Sequence, residues 1–482
     1  MKLSGTDLTI LIAYLAGMVA FGMWMGRRQK SSADFMVGSR DFPWWVILFS
    51  IVATETSTVT FLSVPGVAWA GNLTFLQLPL GYVLGRLVVC ALLLPRYFAG
   101  EMFTAYEVLD QRFGGRVKKT ASALFIVTRT LGDGLRLFLT AIILQKVAGI
   151  DMNMAIVYLG VATILYTFTG GMRAVLWTDF VQFMVYMGGA AVAFYVLLGQ
   201  IDGGWGAVTD LAAQSDKLRV FDFAFDWNTS YLFWTGLIGG AVFSVGTHGV
   251  DQMMVQRYLC ARNRRDATLA LGLSGPVVLV QFAFFLVVGV CLYAFYTQQP
   301  PATAFLASDS DQVFATFIVD YLPVGVLGIV LGAVFSAAMS TLSSSLNSAA
   351  TALVNDIYLP RSRADVDDRR RLRAARLFTI LFGVAQIIVG IGGQWLHQDV
   401  ISSVLAIQSF TTGIILGVFF LGIFSRRVTE PAALVGLVGG LAAMTAVSFG
   451  TNLAWPWFAL VGSSATCAIG LAAQSFLGPN RR

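Results

Sequence analysis

Charge is what this chain most lacks. Only 12% of its 482 residues are Asp, Glu, Lys or Arg, against about 25% in a soluble globular domain. Histidine and cysteine are also scarce. His248 and His397 lie far apart, and Cys90, Cys260, Cys291 and Cys467 are scattered. They form neither a metal-ligand spacing nor a disulfide framework. No nucleophile–base pair stands out, so an enzyme is not expected. The loops hold no Gly-rich phosphate-binding motif with its Lys, which argues against an ATP-driven pump.

What is there is apolar length. The chain is 57% hydrophobic, with mean hydropathy +0.74. It reads as an all-α polytopic membrane protein, because only helices and closed barrels satisfy their backbone polar groups in lipid. Windows long enough to span a bilayer fall near 6–26, 43–70, 74–98, 120–149, 154–171, 174–200, 230–257, 267–296, 320–353, 374–394, 399–424, 431–450 and 455–477, about 13 transmembrane helices. The first shows no small-residue cleavage site and is expected to be retained. Only Gly478 to Arg482 follows the last, which leaves no soluble signalling output for a membrane sensor.

The net charge of +6 does not imply nucleic acid, because the positive residues sit in short loops. Arg27, Arg28, Lys30 and Arg40 follow the first span, and Arg112, Arg116, Lys118 and Lys119 the third. Arg262, Arg264 and Arg265 follow the seventh. Arg361, Arg363, Arg369, Arg370, Arg371 and Arg373 follow the ninth, Arg426 and Arg427 the eleventh, and Arg481 and Arg482 end the chain. The alternate loops are poor in Lys and Arg. Positive residues stay inside, which puts the N-terminus outside the cell membrane and the C-terminus in the cytoplasm.

Two spans should be interrupted. The second contains Ala53-Thr54-Glu55-Thr56-Ser57-Thr58-Val59-Thr60 and then Pro65-Gly66. The seventh contains Gly239-Gly240 and Ser244-Val245-Gly246-Thr247-His248-Gly249. β-Branched, polar, Gly and Pro residues weaken a helix, and unwound backbone at membrane depth must line a cavity. These spans are five apart, an odd number, so a repeat of that size would be inverted in the membrane.

The ninth span adds a helix crowded with hydroxyls. Ser340, Thr341, Ser343, Ser344, Asn347 and Ser348 share an arc of roughly 160°. Such a face is either interhelical glue or a ligand set for a hard cation such as Na+. The fourth span carries Arg129, Asp133 and Arg136 on one face. Asp133 can neutralise one arginine. The surplus guanidinium, best placed at Arg136, would grip a substrate carboxylate, unless the cluster is a structural ion-pair set.

On five stretches the chain resembles the sodium:solute symporter family. They are Asp41-Phe42-Pro43-Trp44-Trp45, Thr104 through Gly114 (TAYEVLDQRFG), Gly170 through Asp179 (GGMRAVLWTD), Asp251 through Arg257 (DQMMVQR), and the Ser340-Thr341 helix. The resemblance implies a leucine-transporter fold. Two inverted five-helix repeats would occupy 43–200 and 230–424, separated by an extracellular loop at 201–229. An extra N-terminal helix and loop (1–42) would precede them, and two extra helices (425–482) would follow. It implies a non-catalytic, sodium-driven importer of a small solute, working by alternating access and expected to be a monomer.

Carried over by position, one sodium ion would lie among the carbonyls of Ala53, Thr56 and Ala337 and the hydroxyls of Ser340 and Thr341. A second would use Asp179, Ser340, Ser343 and Ser344. Asp179 at a helix start could equally be a capping residue. The stoichiometry is therefore one or two sodium ions. Sialic acid transporters of this family place an arginine on the helix of Arg136 to meet a carboxylate. Glu55 could pair with Arg136, bind a substrate amine, tune sodium affinity or carry a proton. Thr54, Ser57, Thr60, Gln77, Tyr82, Thr247, His248 and Gln408 are further expected cavity residues, and Arg86 reads as a helix anchor. Sugar transporters differ at Glu55, Pro79 and Thr60, which disfavours a hexose. A carboxylate-bearing solute (organic acid, sialic acid-like or amino acid) is expected, with a neutral sugar or polyol as the alternative.

Overall fold

The computed structural model describes residues 3–26, 31–38, 40–100, 102–301, 305–306, 310–359, 368–395 and 400–477. The loop charges Arg27, Arg28, Lys30, Arg361, Arg363, Arg481 and Arg482, together with His397, lie outside these residues. Among the described residues the structure is helical, with one isolated bridge between Phe42 and Ala261.

The helices are α1 (Gly5–Gly26), α2 (Ser32–Val37), α3 (Trp44–Glu55), α4 (Thr58–Ala70), α5 (Gln77–Leu92), α6 (Leu94–Tyr97), α7 (Glu107–Arg112), α8 (Gly115–Ala148), α9 (Met152–Gly199) and α10 (Gly204–Gln214). They continue with α11 (Gly240–Gly249), α12 (Gln252–Leu259), α13 (Arg264–Gln298), α14 (Ser310–Tyr321), α15 (Val326–Ala352), α16 (Asp368–Gly392), α17 (Val400–Phe424), α18 (Glu430–Gly450) and α19 (Phe458–Leu477).

Nine helices among the described residues are long and apolar enough to cross a membrane, or up to eleven if each bent pair is one span. This is fewer than the thirteen windows, for two physical reasons. The seventh window is cut into α11 and α12, each too short to cross alone. The fourth and fifth windows are joined as one pair, α8 and the start of α9, bent by 116°.

The hydroxyl helix α15 is the axis of the molecule. Within its apolar window 89% of residues are buried, against 17% for α1. Its polar face is thus shielded from lipid, where unpaired hydroxyls would be costly. α1 lies along it. Asp7 accepts hydrogen bonds from the backbone amides of Gly325 (2.7 Å) and Gly328 (2.9 Å), and the Tyr14 hydroxyl meets Ser336. The Asp7 contacts cap the start of α15 from another helix, since no local side chain does so.

Both expected interruptions exist, at definite places. α3 and α4 meet at 60°, with Thr56 (φ −85°, ψ 99°) and Ser57 (φ −100°, ψ −179°) extended between them. Ser57 caps α4 by accepting from the Val59 amide at 3.2 Å. Pro65 stays inside α4 and does not end it. In the seventh window a single π-turn, Thr235–Gly239, runs directly into α11. The break therefore follows Gly249, at Val250 and Asp251, and not at Gly239-Gly240. Glycine serves close approach there instead: a Cβ on Gly81 of α5 would collide with the Gly236 carbonyl. α9 also turns at Gly171, whose φ of +52° falls where glycine is favoured.

Candidate functional site

Interrupting a helix frees the carbonyls of its last turn, which then need other partners. At the end of α3 those partners come from α15. The Ser340 hydroxyl donates to the Ala53 carbonyl at 2.9 Å, and the Thr341 hydroxyl to the Thr54 carbonyl at 3.0 Å. The Ala337 carbonyl lies 3.1 Å from the Ser340 hydroxyl and 3.5 Å from that of Thr341. Five neutral oxygens from two helices thus converge in a buried spot, and hard cations take oxygen ligands of this kind. Four of the five expected sodium-site residues meet here, with Thr54 contributing a carbonyl as well. The expected ligand from the fifth, Thr56, is its carbonyl; its hydroxyl accepts from the Gln281 amide nitrogen on α13.

The neighbouring acid has a protein partner. The Asp179 carboxylate accepts from Ser50 at 2.6 Å, Thr54 at 3.3 Å and the Arg257 guanidinium at 3.0 Å. Arg257 also donates to Ser344, while Ser343 donates to the Ser340 carbonyl at 3.3 Å. Asp179 is therefore no helix cap; α9 runs through it. Its second oxygen, Oδ1, is buried with no partner among the described residues. Farther along α15, Asn347 accepts from Gln256 at 3.0 Å and Ser348 bonds back to the Ser345 carbonyl. That end of the hydroxyl face is interhelical glue.

Above the five oxygens lies a cavity bordering about 640 Å3 of empty space. Thr54, Glu55, Ser57, Thr60, Tyr82, Arg136, Thr247, His248 and Gln408 all line it, as expected. Gln77 does not. Its amide donates to the Thr74 and Tyr231 carbonyls at 3.1 and 3.0 Å and accepts from the Asp222 amide at 3.0 Å, tying down the loop before α11. A glutamine, with both an amide donor and a carbonyl acceptor, suits this set of three backbone groups.

Two charge clusters face each other across the cavity. On one wall Glu55 pairs with the fully buried Arg86, which also donates to Ser274 at 2.7 Å; His248 Nε2 lies 3.5 Å from the same carboxylate. Of the roles open to Glu55, pairing with Arg136 is thereby removed. On the other wall Arg136 binds Asp133, and its second amino group reaches Gln408 at 3.4 Å.

Arg129 corrects the charge count made from the sequence. It pairs with Asp251 at the break between α11 and α12, and lies 3.7 Å from Asp133. Two acids match two arginines, so no surplus positive charge remains in this cluster. Sequence reasoning gave no role to Asp251 or Arg257, although both fall within the seventh apolar window. The signal was available, since charges inside a span are functional candidates by default.

Broken helices around a cavity, with an oxygen-lined cation site beside it, define an ion-coupled secondary transporter. The comparisons with known proteins agree. A sodium:solute symporter family model matches residues 35–440, and the chain belongs to that family. It is a sodium-coupled solute symporter that works by alternating access. The chain is 28% identical to the sodium/sialic acid symporter SiaT of Proteus mirabilis, over 98% of this chain and 95% of the relative. It is 30% identical to the human sodium/iodide cotransporter, over 98% and 75%. Among solved structures it resembles a substrate-bound, outward-open Na+-coupled sialic acid symporter, with TM-score 0.89 and 29% identity over 99% of each chain. The nucleobase-cation-symport-1 transporter Mhp1 shares the fold, with TM-score 0.59 and 13% identity over 93% and 95%.

Proposed function

We propose that the chain imports a small carboxylate-bearing solute with sodium. One ion lies among the oxygens of Ala53, Thr56, Ala337, Ser340 and Thr341, with the Thr54 carbonyl beside them. A second lies beside Asp179, Ser343 and Ser344. The solute occupies the cavity between Glu55, His248 and Arg136. The N-terminus faces outside and the C-terminus the cytoplasm. The protein works as a monomer of two inverted five-helix repeats, 43–200 and 230–424, with thirteen spans when each broken helix is one span and α8 and the start of α9 are two.

The observation that carries the solute reading is Arg136. Its guanidinium lines the cavity, and its Nε has no partner among the described residues. A guanidinium with a spare edge recognises carboxylate by charge-assisted hydrogen bonds. That the similar proteins include sialic acid symporters supports the same reading.

A second reading has its own support. Arg129 and Arg136 are balanced by Asp133 and Asp251, and Glu55 by Arg86. A charge-balanced cavity also suits a neutral sugar or polyol. Thermal-shift measurements on purified protein decide between them. Organic acids, amino acids, sialic acid and sugars are compared in NaCl and in KCl. A ligand of the native state raises stability by mass action. A carboxylate that stabilises only in Na+ is the expected result, and a sugar that does so in its place overturns the solute reading.

A further inference from the structure

A second, smaller cavity, bordering about 380 Å3 of space that includes open solvent, adjoins the first on the side of the Gly115 end of α8. Phe125, Thr128, Val250, Asp251, Thr411 and Thr412 belong to its lining. The two cavities share Arg129, Arg136, Val404 and Gln408. Two of these four, Arg129 and Arg136, belong to one ion-pair array, which thus forms part of the partition between solute cavity and inner vestibule.

That array is linear. Asp251 binds Arg129, Arg129 lies 3.7 Å from Asp133, and Asp133 binds Arg136. All four side chains are nearly buried, the most open being Arg136 at 11% exposed. Asp133 Oδ1 stands between the two guanidiniums, bonded to Arg136 and only near Arg129. Arg129 in turn is bonded to Asp251, which sits in the break and caps α12 by accepting from the Met253 amide at 2.9 Å. Three members of the array ride on the continuous helix α8. The fourth rides on the broken one, and a broken helix can move relative to its neighbours.

We propose that this array is a charge ladder that couples solute occupancy to the inner vestibule, with Arg129–Asp251 as its latch. A solute carboxylate arriving at Arg136 competes with Asp133 for that guanidinium. Asp133 is then freed to take Arg129, one helical turn away. Arg129 leaves Asp251, and the break between α11 and α12 loses its tie to α8. The vestibule opens toward the Gly115 side. Arg136, Asp133 and Arg129 each exchange one partner for another of like charge; Asp251, which lines the vestibule, is the ion released. The trigger rests on the reading that a carboxylate meets Arg136; the latch does not.

The test needs no solute. A Thr411→Cys variant of the full chain is purified, and the labelling rate of its vestibule thiol is measured in NaCl. The unmodified chain supplies the background from its four cysteines. A resting open population of about 0.1–10% leaves room for a rise on the order of tenfold. Arg136→Gln frees Asp133 as a solute would, so labelling should rise by that order. Adding Asp133→Asn should return it to the starting rate, because nothing then draws Arg129 from Asp251. Asp251→Asn should raise labelling by itself, and Asp251→Glu should keep it low. If Arg136→Gln fails to fold, Arg136→Leu takes its place.

An unchanged rate in the Arg136 variant overturns the ladder. So does a double variant labelled as fast as the single. If these variants behave as expected while a solute and its amide bind wild type equally well, the latch stands and the carboxylate reading falls.

Discussion

Arg257 of α12 holds Asp179 of α9 at 3.0 Å, with both side chains buried from solvent. The same guanidinium reaches Ser344. It therefore sits among the groups assigned to a second sodium ion and supplies a fixed positive charge there. Asp179 Oδ1, the oxygen facing away from this pairing, is what an ion would add to its shell.

The first prediction concerns that pair. Arg257→Gln leaves a buried carboxylate uncompensated, which costs about 3–5 kcal/mol. The melting temperature in KCl should fall sharply. NaCl at equal ionic strength should restore more of the loss than it adds to wild type, because an ion can take over the arginine's role. Equal melting curves in the two salts would remove the second site. Asp179→Asn should bring the Hill coefficient for sodium in uptake down towards one.

The first sodium site gives a second prediction. Ser340→Ala or Thr341→Ala should each raise the sodium concentration for half-maximal uptake. The lost oxygen contact costs on the order of 1–3 kcal/mol. Both variants should fold, since each hydroxyl also bonds only to carbonyls of α3 and of its own helix. Wild-type sodium dependence in both would place the ion elsewhere.

Arg136→Gln should weaken binding of the transported solute by at least about 1.5 kcal/mol, the low end for a hydrogen bond to a charged group. Calorimetry on wild type and variant, with the acid and its amide, measures this directly. The amide should bind wild type poorly and lose little further affinity in the variant. Acid and amide binding alike would make the arginine structural.

Gln77→Leu should behave in the opposite way. The side chain joins the Thr74 and Tyr231 carbonyls to the Asp222 amide and does not line the cavity. Each of these hydrogen bonds contributes about 0.5–1.5 kcal/mol, and all three are lost. The melting temperature should drop while solute affinity in the folded fraction stays at the wild-type value. A selective loss of affinity would return Gln77 to the site.

Apolar length, helix-weakening residues and hydroxyl spacing are properties of a short stretch of chain. Accordingly the membrane class, the two interruptions, the hydroxyl helix and the cavity arginine on α8 could all be read from the sequence alone. The place of each break was less legible. Thr56 and Ser57 are extended although Pro65 nearby is not the breaking residue, because the free carbonyls at the end of α3 find hydroxyls on α15 to accept from. The count of spans also escaped local reading, since a bend or break divides an apolar window without changing its hydropathy.

Charge pairing was decided by tertiary structure. Asp133 was visible as a partner because it lies one helical turn from Arg129 and from Arg136. Asp251 is 122 residues from Arg129, and Arg257 is 78 from Asp179, so no periodicity joins them. Excluded from water, each ion took the opposite charge that folding brought nearest. That choice turned a helix with surplus charge into a balanced ladder, and sent Gln77 from an expected solute contact to the support of a loop.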